Sequence, residues 1–261
     1  MHSKGFVNTR IVRQFLPMNE SENRHTNEIR FLDSAGNLIY CQPPANNRDS
    51  FKFLPITKIG NGFLDSHDSL IREPMDFTRH NRIPLEDLQR LLQTALFPKS
   101  VPESERFNLK HSDYQFLYKF LSQYPSETSY PKYDTSEFFD SYVKFFFQKG
   151  GRQLPENIRV FNKVGWAYGF LTDVSYIVDF KNKIEFMLSA TIYTNEDGIL
   201  NDNKYEYDSI GLPFLYRVEQ DIYHFDLNRK RKFQPDLKVF QLKYDHRDPA
   251  DKRSSIKDVD N

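Results

Sequence analysis

Cysteine is almost absent from this chain of 261 residues: Cys41 is the only one. An internal disulfide framework is therefore excluded, and the redox compartment stays open. Cys41 lies between Tyr40 and Gln42-Pro43-Pro44, a turn-like setting with no neighbouring base, and reads as a structural thiol. An excess of charge of one sign is missing too. The 36 Lys and Arg residues balance 36 Asp and Glu, so nothing electrostatic argues for nucleic acid or an anionic membrane as a partner. No apolar run is long enough to span a bilayer. Met1-His2-Ser3-Lys4-Gly5-Phe6 leads into no hydrophobic segment, so it is not a signal peptide; it reads equally as a cytoplasmic start or as one inside something longer. The seven histidines show no ligand spacing with carboxylates or with Cys41, so neither a metal nor a cofactor is expected. There is no internal repeat.

What the chain does have is aromatic bulk. With 24 Phe and 15 Tyr it holds enough large rings to build a core, although 28% of its residues are charged. Ile29-Arg30-Phe31-Leu32 and Leu38-Ile39-Tyr40, separated by Asp33-Ser34-Ala35-Gly36-Asn37, predict a β-hairpin. Residues 42–50 are loop, and a strand-like pair is expected within 51–64 around Lys58-Ile59-Gly60-Asn61-Gly62. Leu85, Leu88, Leu91 and Leu92 share one helical face behind Pro84, and Pro98 stops that helix. Ser112-Asp113-Tyr114-Gln115 has the form of a capping box ahead of a second helix. Residues 136–147 are too short a run to assign as helix or strand. Ile158 to Phe161, Val174 to Phe180 and Ile184 to Tyr193 are strands rich in β-branched and aromatic residues, and their short connections predict an antiparallel meander. A closing helix is expected over Leu212 to Leu227, with a charged tail over 231–261.

The most informative stretch is Asn162-Lys163-Val164-Gly165-Trp166-Ala167-Tyr168-Gly169-Phe170-Leu171-Thr172-Asp173-Val174-Ser175-Tyr176-Ile177. It resembles the third motif of class A β-lactamases and penicillin-binding proteins, a Lys-Thr-Gly strand followed by a Tyr-Gly turn and a second strand. The likeness runs on through the third strand and the closing helix, spanning roughly Ile11 to Arg229 with a weak early part. The fold class it implies is α/β (α+β), a transpeptidase-like antiparallel sheet flanked by helices with its N-terminal part missing. Residues 1–230 would be a partial domain of that type: 1–80 an enlarged omega-loop region with a hairpin insertion, 81–150 helical, and 156–230 the meander and last helix.

In such enzymes a serine attacks a β-lactam or cell-wall peptide carbonyl to form an acyl-enzyme. The resemblance places Lys163 as the catalytic strand lysine and Val164, Gly165 and Trp166 as substrate-binding positions. The Trp166 N–H would be half of an oxyanion hole. Val164 stands where the family has Thr or Ser, which removes one carboxylate-binding donor. Glu22, in Glu22-Asn23-Arg24-His25-Thr26-Asn27, is the candidate general base by order along the chain. The Ser-x-x-Lys nucleophile and the Ser-Asp-Asn loop should lie more than a hundred residues upstream. Ser129-Tyr130-Pro131-Lys132, Ser141-Tyr142-Val143-Lys144 and Ser254-Ser255-Ile256-Lys257 match the string but not the context, Ser141 being the least poor, and Ser112-Asp113-Tyr114 only imitates the second motif.

The expectation is therefore the C-terminal part of a serine hydrolase, inactive alone, whose missing N-terminal segment completes the fold and whose whole form is exported. Its isolated part should expose apolar sheet edge and helix surface. The rival is a non-catalytic binding or interaction module that keeps the fold and has shed the chemistry, favoured by Val164 and the large insertions; separately, Trp166 and Tyr168 could form an aromatic platform for a sugar or peptide. A weaker third reading is an unrelated enzyme using Ser141 or Cys41.

Overall fold

The computed structural model describes residues 1–14, 18–53, 55–129, 132–245 and 250. It is a mixed α+β structure of helices and small antiparallel sheets. The chain divides into two compact units, Met1–Pro84 and Leu85–Asn261, close to where the enlarged loop region was expected to give way to helices.

Two nested hairpins build the first unit. Helix α1 (Glu20–Arg24) leads into β1 (His25–Thr26), which pairs with β4 (Ala45–Asn46) around the inner hairpin of β2 (Ile29–Leu32) and β3 (Leu38–Gln42). The plan recurs when β5 (Lys58–Ile59) pairs with β8 (Met75–Asp76) around β6 (Gly62–Leu64) and β7 (Leu70–Ile71). The 29–40 hairpin forms as its sequence predicts. The Asp33 carboxylate accepts from the Ala35 and Asn37 N–H groups at 2.9 and 2.8 Å, and Gly36 supplies a φ of 84°. The strand pair expected within 51–64 is corrected, because β5 and β6 each take a later partner. The reason is a second carboxylate turn: Asp65 accepts from the N–H of His67 and Ser69 at 2.8 and 3.0 Å and reverses the chain there.

The second unit is a three-stranded sheet between two helical layers. Strands β9 (Ile158–Ala167), β10 (Phe170–Asp179) and β11 (Ile184–Tyr193) run antiparallel in the order β11-β10-β9, in unbroken register. Alternation sorts their side chains. Phe161, Val174, Tyr176 and Val178 face α2 (Leu85–Leu96) and α3 (His111–Ser122). Ile158, Val160, Leu171 and Ile177 face α4 (Phe145–Gln148) and α5 (Leu212–Asn228). Residues 136–147 thus resolve into turns and the short α4. The capping box expected at Ser112 to Gln115 is corrected as well. Helix α3 starts one residue earlier, and the Asp113 carboxylate accepts the Lys110 N–H at 2.7 Å.

The charged tail expected from 231 is corrected for its described part. Leu237 and Phe240 are buried against Phe161 and Tyr176, with the Phe240 ring 5.1 and 4.9 Å from theirs. Tyr244 then covers Arg159, whose guanidinium lies 4.0 Å from that ring and 4.2 Å from Tyr124 and pairs with Glu127 at 2.9 Å. Averaged charge along the segment conceals two apolar residues three apart, which suffice to anchor it. Phe240→Ala should cost about 3–5 kcal/mol, read as a lowered melting temperature, whereas Phe233→Ala, at a site 77% exposed, should leave it unchanged.

Helix α5 places Glu219 on the same buried side as Leu212 and Leu215. Burial pushes this carboxyl up from 4.5 to about 7, opposed by the hydrogen bond from Gln220 Nε2 at 2.7 Å. The folded-state value is raised, so its stabilisation is complete below pH 4.5 and lost as pH rises through about 7. Glu219→Gln should match the parent protein near pH 4 and exceed it by roughly 3 kcal/mol at pH 8, checked by urea titrations of both proteins across that range.

Candidate functional site

The stretch expected to carry chemistry lies at the hairpin end of β9. Tyr168 and Gly169, with φ of 54° and 86°, make a two-residue turn whose left-handed pair matches the twist of the flanking strands. Glycine is required at the second position, because a Cβ there would stand 2.9 Å from Asn195 Cβ and 3.0 Å from the Thr194 carbonyl. The Gly169 N–H donates to the Tyr207 hydroxyl at 2.8 Å and fixes the turn.

β9 is an outer strand, and its free edge is covered over only part of its length. The Tyr124 hydroxyl donates to the Ile158 carbonyl at 3.2 Å, and Lys144 Nζ to the Val160 carbonyl at 3.0 Å. At Val164 the carbonyl accepts Lys163 Nζ, at 2.7 Å, from the neighbouring residue. Lys163 and Gly165 are exposed on the sheet face that carries Phe161, and nothing lies within 4 Å of where a Gly165 Cβ would be. Val164 and Trp166 turn to the opposite face. The structure therefore keeps Lys163, Val164, Gly165 and Trp166 together on one open edge but divides their side chains between two faces. Glu22 is placed elsewhere, in the first unit. It completes a capping box at α1, accepting the Asn19 N–H at 2.8 Å while its own N–H donates to Asn19 Oδ1 at 2.9 Å.

Trp166, 48% exposed, stands over a cleft of about 360 Å³. Its ring centroid is 5.5 Å from Phe145 and 6.3 Å from Tyr142, the latter edge-on. Phe139, Leu171, Tyr207 and Leu212 continue the apolar wall, and the Lys149–Asp208 pair at 3.1 Å stands at its margin. Such a cleft can take a flat or ring-shaped ligand face by stacking and dispersion. Tyr168, paired with Trp166 in the sequence reading, does not line it.

Beneath the cleft is a polar cluster that sequence reasoning missed. Lys144 Nζ donates to the carbonyls of Leu121 and Val160, each at 3.0 Å, and to Asn162 Oδ1 at 2.6 Å. Asn162 Nδ2 donates to Asp173 Oδ1 at 3.0 Å and to the Val143 carbonyl at 2.9 Å. Asp173 also accepts Ser175 Oγ at 2.7 Å and the Phe145 N–H at 3.0 Å. All four side chains are buried. Burial holds the Lys144 ammonium below its usual range against the pull of Asp173. It raises the Asp173 carboxyl against the hydrogen bonds from Asn162 and Ser175. The signal available in the sequence was Asp173 itself, an ionisable residue amid the apolar run of β10.

The same geometry accounts for Ser141. It is fully buried, its Oγ donates to the Gly151 carbonyl at 2.6 Å, and Lys144 Nζ donates to the Leu121 and Val160 carbonyls and to Asn162 Oδ1 instead. Its hydroxyl is thus engaged in structure. Tyr130 and Pro131 of the first Ser-x-x-Lys string, and all of the third, fall outside the described residues. Among the described residues no group of three or more His, Cys, Asp or Glu side chains is placed to hold a metal ion, and no helix is long and apolar enough to cross a membrane.

No protein-family model, no curated protein and no solved structure matches the chain.

Lys144→Met should cost about 3–5 kcal/mol, because it strands the buried Asp173 carboxylate. Adding Asp173→Asn should recover part of that loss, so that the double variant falls short of the sum of the singles in denaturant titrations.

Proposed function

We propose that the chain is the back part of an acyl-serine hydrolase of β-lactamase type, with the open β9 edge from Lys163 to Trp166 as one wall of its site. The observation that carries this reading is an outer strand that places an exposed lysine beside an unobstructed glycine. An exposed ammonium there suits a substrate carboxylate, and the backbone of an outer strand can align an acyl group. Phe214, Ile222 and Phe225 lie exposed along one side of α5, an apolar face suited to cover by a further segment. A serine nucleophile would come from sequence beyond these 261 residues, since Ser141 is engaged in structure.

A second reading, the non-catalytic binding module, is favoured by the aromatic cleft under Trp166. The two separate in one set of measurements. Translation of the reading frame upstream of the Met1 codon should reveal Ser-x-x-Lys and Ser-Asp-Asn strings, and the whole product should be acylated by a fluorescent penicillin. Lys163→Ala should slow that labelling about 100-fold, the scale of losing one charge-stabilising group. If the whole product is not labelled, or is labelled equally without Lys163, the hydrolase reading fails. Trp166 is the chain's one tryptophan, so saturable quenching of its emission by a D-alanyl-D-alanine peptide, without turnover, would establish the binding module instead.

A further inference from the structure

A second cavity, of about 210 Å³, is lined by residues of the first unit alone, none of them given a catalytic or substrate-binding role in the hydrolase reading. Three guanidinium groups, those of Arg13, Arg24 and Arg79, border it together with Phe51, Phe53 and one carboxylate, Glu20. Glu20 answers two of the three: Oε2 is 2.9 Å from Arg79 Nη1, and Oε1 is 3.6 Å from Arg24 Nη2. Arg24 is further held by the carbonyls of Asn47 and Asp49, at 3.1 and 2.8 Å.

Arg13 is different. Its backbone is fixed, its N–H donating to Asn81 Oδ1 at 2.9 Å and its carbonyl accepting Asn81 Nδ2 at 2.9 Å. Yet its half-buried side chain has no hydrogen bond or ion pair among the described residues. With no protein acceptor on its five N–H donors, this guanidinium is available to an acceptor on a ligand. The lining as a whole carries three positive groups against one negative, so the missing counterpart is an anion.

The aromatic walls narrow the choice. Phe51 and Phe53 meet edge-on with centroids 6.2 Å apart, and Arg24 and Arg79 each lie 5.1 Å from one of these rings. A guanidinium resting on a phenyl face keeps its in-plane N–H fork directed sideways, where it can grip a planar or tetrahedral oxyanion. A cavity of about 150 Å³ suffices for benzene, so this one has room for a single ring and an anionic substituent. We propose that the cavity is a binding site for a small aromatic anion, one ring bearing a phosphate or a carboxylate, with Arg13 as the group that completes its charge on binding.

The probe is phenyl phosphate, titrated calorimetrically into the whole 261-residue chain, with inorganic phosphate, phenol and benzoate as separate arms. Phenyl phosphate or benzoate should bind saturably and at least about ten-fold more tightly than either inorganic phosphate or phenol, a difference of about 1.4 kcal/mol. Arg13→Gln should weaken the better of the two by at least about ten-fold while leaving the melting temperature unchanged, because that side chain holds nothing else. Arg13→Lys should recover only part of the loss, since an ammonium lacks the fork. The ratio of phosphate to carboxylate affinity identifies which oxyanion the site prefers. Trp166→Phe should change none of these values. Three results would overturn the proposal: no saturable binding of either aromatic anion, binding of phenol equal to that of the anions, or affinity indifferent to Arg13.

Discussion

The second unit depends on one buried charge cluster. Lys144, Asn162 and Asp173 join parts of the chain that no single hydrophobic contact connects: the end of α3 through the Leu121 carbonyl, β9 through Val160 and Asn162, β10 through Asp173, and the start of α4 through the Phe145 N–H. Each ion alone would be prohibitively expensive away from water. Together, with their remaining donors and acceptors engaged, they specify one arrangement of sheet and helices. The cleft inherits that rigidity, because Phe145, which forms its floor against Trp166, is the residue whose N–H the Asp173 carboxylate holds.

The cluster also determines where the sheet edge is open. Lys144 covers β9 at Val160 and Tyr124 covers it at Ile158, so an outer strand that would otherwise invite pairing along its whole length is blunted over its first half. Further along, the Val164 carbonyl accepts Lys163 Nζ from the neighbouring residue. Either reading of the site, an acyl-transfer wall or a ligand platform, uses this second half of the strand.

How much was legible in the sequence depends on whether the determining interaction is local. The 29–40 hairpin, α2, the three long strands and α5 follow from periodicity and turn chemistry within a few residues of one another, and these elements formed where expected. The partners of β5 and β6 did not, because two turn signals in series allow several pairings and only the tighter Asp65 turn selects among them. Composition mislabelled the segment after Arg229, since one buried ring and a leucine count for little in an average over charged residues. At the site, Lys163, Val164, Gly165 and Trp166 were legible as a strand motif. Glu22 drew attention as a carboxylate in a plausible order, and the structure shows the local helix cap it serves. Lys144 sat inside a Ser-x-x-Lys string that the eye reads as catalysis. Its real partners are up to 29 residues away in sequence, at Leu121, Val160, Asn162 and, through Asn162, Asp173, a distance at which no spacing rule operates.

The two units place charge in opposite ways, and the contrast bears on what each can do. In the second, the Lys144–Asn162–Asp173 cluster is buried, mutually satisfied and spent on architecture, so what remains for a ligand is aromatic surface, a strip of backbone and the exposed Lys163. In the first, the strand pairs are short, and the cavity keeps its guanidinium groups at the wall, one of them without a hydrogen bond or ion pair among the described residues. A spent charge sets a shape, while an unspent one selects a ligand by sign. On that reasoning the cleft under Trp166 would discriminate by shape and stacking, and the arginine-lined cavity by charge, so the two sites answer to different chemistry within one chain.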